Sequence, residues 1–196
     1  VPLVSEAEID GLVGDIASPA LPAMPFDPKT LSKITIVACG TASYAGQIGK
    51  YWIERLARVP VECDLASEFR YRDPVLPEGG MVLAISQSGE TLDTTEALRL
   101  GAAQGQITAG VVNVPESTIA REVQFVIPTK AGPEIGVAST KAFTTQLAAL
   151  AVFAVALGLE RGALTSEEAD GHLRSLAEMP AAIRAILHGP VIRRAE

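Results

Sequence analysis

Positive charge, cysteine, histidine and aromatic side chains are all scarce in this chain, and each scarcity removes a class of function. Sixteen Lys and Arg are outnumbered by 23 Asp and Glu over 196 residues, for a formal net charge of −7 and a pI near 4.9. The basic pairs Arg70/Arg72 and Arg193/Arg194 are too small to form a patch, so a nucleic-acid surface is excluded. The two cysteines, Cys39 and Cys63, make no C-x-x-C and carry no metal-ligand spacing, which argues against a metal site or a disulfide scaffold and fits a reduced, cytoplasmic setting. The two histidines, His172 and His188, stand sixteen residues apart in the C-terminal tail and make no recognisable metal pair. No signal peptide is visible, and the longest apolar run, Leu147 to Leu159, is thirteen residues, too short to span a bilayer. It reads as a buried helix. Absent too are the G-x-G-x-x-G dinucleotide fingerprint and a Walker A sequence, so no cofactor is expected.

What is present suits a folded domain. Nearly half the residues (48%) are hydrophobic and 20% charged, a composition that can bury a substantial core. The chain has no initiator methionine and stops at Ala195-Glu196 with no closing signal, which suggests a piece of something longer. Residues 1–30 read as an irregular approach. Ser5-Glu6-Ala7-Glu8 is a capping-box pattern for a short helix from Glu6 to about Ile16, and Pro19, Pro22, Pro25 and Pro28 then rule out regular structure.

From Lys33 the pattern becomes strand–helix alternation. Strands are expected over Ile34–Ala38, Val61–Leu65, Met81–Ile85, Ile107–Val114 and Val123–Ile127. Helices are expected over Ser43–Arg58, with Ala45, Ile48, Trp52, Leu56 and Val59 on its apolar face, over Thr91–Gln104, and over Gly136–Gly158. Thr165-Ser166-Glu167-Glu168 opens a polar helix expected to end before Pro180, with a short helix over Ala181–Leu187. Continuous apolar strands between helices predict an α/β fold, a parallel sheet covered on both faces, with ligands outside the carboxyl ends of the strands.

Three loops at those ends carry the chemistry. Ser86-Gln87-Ser88-Gly89-Glu90-Thr91 joins an apolar strand to a helix start, where backbone N–H groups lack intrahelical partners and the helix dipole favours an anion. Ser86, Ser88 and Thr91 offer hydroxyls, Gln87 an amide, and no lysine or arginine lies inside the loop. The pattern fits a phosphate held by neutral donors; an ordinary capped turn is the plainer alternative. Cys39-Gly40-Thr41 brings a second hydroxyl to the next helix start, with Cys39 closing an apolar strand as a small residue rather than a nucleophile. The block from Gly132 to Lys141 holds Ser139 and Thr140 at a helix start, with Glu134 and Lys141 the only charges. Those charges bind something, pair at a subunit contact, or cap the helix. A serine hydrolase is disfavoured because Ile85-Ser86-Gln87-Ser88-Gly89 lacks the first glycine of a nucleophile elbow.

With these loops in hand, the chain resembles the first sugar-isomerase (SIS) domain of the glutamine–fructose-6-phosphate aminotransferase family. The resemblance rests on Ala38–Ala42, Ala66–Arg72, Ile85–Thr91 and Gly132–Thr144, spans Leu31 to Leu159, and is most specific in the last block. It implies a three-layer α/β/α SIS fold with a five-stranded parallel sheet over residues 31–160, after the segment 1–30 and before a helical linker over 161–196 toward a second SIS domain. It also implies a substrate such as fructose 6-phosphate or glucosamine 6-phosphate. Ser86, Gln87, Ser88 and Thr91 would hold the phosphate, Thr41 the sugar or its phosphate, and Val137 and Ser139 the sugar chain. Complete family members carry a glutaminase domain and a second SIS domain that supplies the base, histidine and lysine of catalysis; none of those motifs occurs here. The resemblance therefore implies a cytoplasmic enzyme that pairs as a homodimer, makes glucosamine 6-phosphate for amino-sugar biosynthesis, and contributes from this chain a substrate-binding half, inactive alone. Two other functions compete. A stand-alone SIS aldose–ketose isomerase needs its own acid/base pair, for which Glu134, Glu90 and Glu68 are the loop carboxylates and Glu134 the weak catalytic candidate. A non-catalytic phosphosugar sensor would carry a basic helix-turn-helix, and nothing of that kind precedes Lys33.

Overall fold

The computed structural model describes residues 21–134 and 139–187. Five strands build one sheet: β1 (Ile34–Ala38), β2 (Val61–Leu65), β3 (Met81–Ser86), β4 (Ile107–Val112) and β5 (Phe125–Pro128). Their spatial order is β2-β1-β3-β4-β5 and every pairing is parallel. The helices are α1 (Thr41–Leu56), α2 (Ala66–Phe69), α3 (Leu92–Ala103), α4 (Thr118–Glu122), α5 (Lys141–Glu160) and α6 (Ser166–Leu187). The expected α/β architecture is therefore present.

Alternation along the strands divides the interior. Ile34, Ile36 and Ala38 of β1, with Met81, Leu83 and Ile85 of β3, join a core that includes Leu150 and Phe153 of α5. Val37, Val82 and Ala84 point to the opposite face, where Phe69 of α2, Leu98 of α3 and Ile119 of α4 cover them. Burial on both sides explains why β1 and β3 are buried along their whole length, whereas the edge strand β2 carries Glu62 and Asp64 and is only partly buried. The approach segment is strapped to the first core by Leu21, Met24 and Phe26, with the Phe26 ring edge-on to Phe125 at 5.9 Å.

Several expected elements differ. The buried face of α1 is Ala45, Gly46, Gly49 and Ile53, whereas Ile48 is 36% exposed. Hydrophobic periodicity scores side chains, but α1 lies so close to its neighbours that glycines form its contact face. A Cβ on Gly46 would stand 2.8 Å from Ile36 Cγ2, and one on Gly49 3.0 Å from Leu150 Cδ1. β4 ends at Val112, not Val114, and β5 begins at Phe125, not Val123. Between them lies α4, which was not expected; Ser117 caps it by accepting from Ala120 N at 3.4 Å. Pro28–Thr30 forms a 3-10 turn capped by Asp27, where proline fits because a first-turn residue needs no N–H partner. The expected helix near the N-terminus, Glu6 to Ile16, lies outside the described residues.

At the C-terminal end, α6 runs unbroken through Pro180 instead of stopping before it. Proline inside a helix removes one hydrogen bond and crowds the preceding turn at a cost of about 3 kcal/mol. Here the residue is buried, so apolar contact offsets part of that cost. α6 lays Ala169 and Leu173 on the first core. α5 begins at Lys141 rather than Gly136 and ends at Glu160. It is long and apolar enough to cross a membrane, yet 72% of its most apolar window is buried inside the fold, which makes it the core helix the sequence suggests.

Candidate functional site

The strand order places a topological switch point between β1 and β3. The chain leaves β1 toward β2 on one side and leaves β3 toward β4 on the other, so the loops after the two strands diverge and open a crevice at their carboxyl ends. A cavity of about 340 Å³ occupies that crevice. The loop after β1 supplies Cys39, Thr41 and Ala42 to its wall, and the β3 loop supplies Ser86, Gln87, Ser88 and Thr91. Ser139 and Gln146 close it from the start of α5 and its second turn.

The β3 loop is held in shape by its own hydroxyls. Ser86 Oγ accepts from Gly89 N at 3.0 Å and lies 3.3 Å from Thr91 Oγ1, and Ser88 Oγ accepts from Glu90 N at 3.2 Å. Gly89 sits at φ 67° against Ser117, and a Cβ there would fall 2.0 Å from Ser117 Oγ. Thr91 is the N-cap residue of α3 and makes no side-chain cap bond, so no side chain of the cap occupies the first-turn N–H groups. That end of a twelve-residue helix meets the cavity wall at Thr91. Neutral hydroxyl, amide and backbone donors dominate the wall, and no carboxylate, ammonium, guanidinium or imidazole is among the described lining residues. Such a wall suits a phosphate or polyol more than proton transfer.

The structure brings Thr41, Ser86, Gln87, Ser88, Thr91 and Ser139 together around one cavity; Val137 lies outside the described residues. The loop carboxylates are engaged elsewhere. Glu134 Oε1 accepts from Thr140 N at 3.0 Å and Ala142 N at 3.3 Å, so it caps α5 and does not line the cavity. Of the alternatives open for Glu134, this geometry fits the capping one. Glu90 accepts from Thr118 N and Thr118 Oγ1, both at 2.8 Å, and these bonds, aided by the charge of Arg121, hold its carboxyl below the usual range. Glu68 lies 3.5 Å from the Ser67 hydroxyl and is likewise absent from the wall.

Cys39 is half-buried at the cavity edge, with Thr94 Oγ1 4.0 Å from its sulfur. Cys63, behind α1, donates to Gly46 O at 3.4 Å, and burial pushes its thiol up to about 11. The basic residues of the Ala66–Arg72 block are paired. Arg70 meets Asp93 at 2.9 Å, while Arg72 meets Asp64 at 2.5 Å and Glu62 at 3.1 Å. Glu62 also takes Lys33 at 2.5 Å, a bond that chiefly holds its carboxyl below the ordinary value.

One lining residue escaped the sequence reading. Gln146 is 2% exposed, and its Oε1 is the buried side-chain polar atom without a partner among the described residues. An unpaired buried amide oxygen costs about 1–3 kcal/mol. The available signal was positional: Gln146 shares a helix face with Ala142, Ala149, Leu150 and Phe153, all buried.

Residues 31–156 match the SIS domain family model. The chain belongs to the SIS domain family. It is 58% identical over 168 residues to the glutamine–fructose-6-phosphate aminotransferase (isomerizing) of Zymomonas mobilis, covering 86% of this chain and 28% of that protein. A Thermus thermophilus protein of the same name is 48% identical over 186 residues, 95% of this chain and 31% of its own length. This chain thus spans about three-tenths of these relatives. Among solved structures, the C-terminal domain of the Francisella tularensis glucosamine-fructose-6-phosphate aminotransferase superposes with a TM-score of 0.87 at 40% identity, over 93% of this chain and 52% of that one. Glucosamine-6-phosphate deaminase of Thermotoga maritima shares the fold alone, with a TM-score of 0.66 at 20% identity over 90% of this SIS chain and 54% of its own.

Proposed function

We propose that this SIS domain is the phosphosugar-binding half of the isomerase unit of a glutamine–fructose-6-phosphate aminotransferase. It takes fructose 6-phosphate or glucosamine 6-phosphate into the switch-point cavity. The phosphate lies against Ser86, Gln87, Ser88 and Thr91 at the start of α3. Thr41 faces the sugar or its phosphate, and Val137 and Ser139 face the sugar chain. The observation that carries this reading is the cavity itself, walled by neutral donors where α3 begins, in a chain whose relatives at 48% and 58% identity bear that enzyme's name. In the whole protein a glutaminase domain supplies ammonia and a second SIS domain supplies the acid, base and amine chemistry. This chain binds and orients. A stand-alone isomerase is less favoured, because Glu134, Glu90 and Glu68 lie off the cavity wall.

The same reading places the protein in the cytoplasm and pairs it as a homodimer. Pairing is supported by an exposed apolar stripe on α1, where Tyr44 and Tyr51 are 62% and 69% exposed on either side of Ile48.

Titration of the chain with fructose 6-phosphate, followed by amide NMR, tests the phosphate assignment. Ser86→Ala and Thr91→Ala should each weaken binding roughly three- to tenfold, as loss of one hydrogen bond to a charged ligand implies. Unchanged affinity in both variants overturns it.

A further inference from the structure

The wall from Ser86 to Thr91 is rich in donors, whereas Gln146 brings to the same cavity an acceptor with nothing to accept. Gln146 projects from α5 among alanines and leucines, is 2% exposed, and lines the same cavity as Ser86 and Thr91. The other buried polar side chains among the described residues are satisfied. Thr145 Oγ1 donates to Lys141 O and Ala142 O, each at 3.0 Å, and Gln106 Nε2 donates to Pro77 O at 3.0 Å. Gln146 Oε1 has no partner among the described residues. An amide kept in an apolar helix face with its acceptor empty stabilises nothing in the free chain; methionine or leucine would fill the space without stranding a lone pair.

We infer that Gln146 is a specificity-determining residue of this cavity: its Oε1 accepts a hydrogen bond from a hydroxyl of the sugar, while the β3 loop holds the phosphate. The inference rests on the phosphosugar reading of the cavity. An acceptor of this kind discriminates strongly, because a phosphorylated ligand lacking the hydroxyl leaves the amide oxygen buried and unpaired, whereas a hydroxylated one repairs it. The cavity then reads its ligand at two places by opposite polarity. Donors around Ser86 to Thr91 select the anion, and an acceptor on α5 selects a polyol attached to it.

The experiment compares fructose 6-phosphate with inorganic phosphate on the 196-residue chain and on Gln146→Met, by NMR titration and thermal melting. In the parent chain both ligands should move the amide signals of Ser88 and Gly89, and only fructose 6-phosphate should move the side-chain amide of Gln146. In Gln146→Met, affinity for fructose 6-phosphate should fall roughly five- to tenfold with phosphate affinity unchanged. The ligand-free melting temperature should rise by about 2–4 °C, because a buried unpaired acceptor has been removed. A Gln146 side-chain signal that ignores the sugar, or equal losses for both ligands, overturns the inference while leaving the phosphate site intact. Absence of any shift at Ser88 and Gly89 with either ligand overturns the phosphosugar reading itself, and this inference with it.

Discussion

At Gly89 a single missing side chain decides whether the β3 loop can close. Its φ of 67° lies where an L-residue costs about 1–2 kcal/mol, and Ser117 occupies the space a Cβ needs. Gly89→Ala should therefore destabilise the chain by at least about 1–2 kcal/mol, lowering the melting temperature by several degrees, and should weaken phosphate binding as the loop moves. An unchanged melting temperature and affinity would show that the loop tolerates another geometry. The serine, glutamine and threonine positions around Gly89 were legible from the sequence because donor chemistry at a strand-to-helix junction is local. Gln146 was not. Nothing in its neighbours along the chain tells that its amide oxygen is stranded beside those donors.

Among the elements, α4 shows how a loop carboxylate can serve structure. Glu90 reaches from the β3 loop to the first turn of α4 and joins the candidate site to the next strand–helix unit. Its carboxyl is held below the ordinary range by the Thr118 N–H first and then the Thr118 hydroxyl. The sign follows from linkage. A depressed folded-state value adds stability that is fully present above the unfolded carboxylate value of about 4.3 and is lost as pH falls through the folded one. Hydrogen exchange at the Thr118 amide should consequently show Glu90→Gln less protected than the parent at pH 7, with the difference shrinking toward pH 3. A difference that persists undiminished in acid would contradict the carboxylate's role. The helices missed by the sequence reading, α2 and α4, are only four and five residues long, too short for any periodicity to register. The opposite error occurred in α6, where Pro180 predicted a break, yet the helix continues through it with Pro180 itself buried.

Across the whole molecule, one side chain ties three distant segments. Arg161, just past α5, donates through Nε to Ala57 O at 3.0 Å and through Nη1 to Leu31 O at 3.3 Å and to Pro28 O. These carbonyls belong to the approach segment and the end of α1, so the arginine anchors both to the core helix. Arg161→Ala should cost about 1.5–3 kcal/mol, the range for hydrogen bonds to a charged group, measured as a loss in urea midpoint at unchanged slope. Unchanged stability would mean that the approach segment is held by Leu21, Met24 and Phe26 alone.

Residue order was enough to establish the fold class, the strands and the donor-rich character of the loops that follow β1 and β3. Apolar runs, glycines and hydroxyls act over a few residues, and their consequences can be read there. Which loops face one another emerged only from the packed fold. The order β2-β1-β3-β4-β5 opens the crevice between β1 and β3, brings Thr41 and Ser139 to the Ser86 loop, turns Glu134 and Glu90 into helix caps, and leaves Gln146 Oε1 unpaired in the same cavity. Those outcomes depend on distances between residues far apart in the chain, set by how the helices pack on both faces of the sheet.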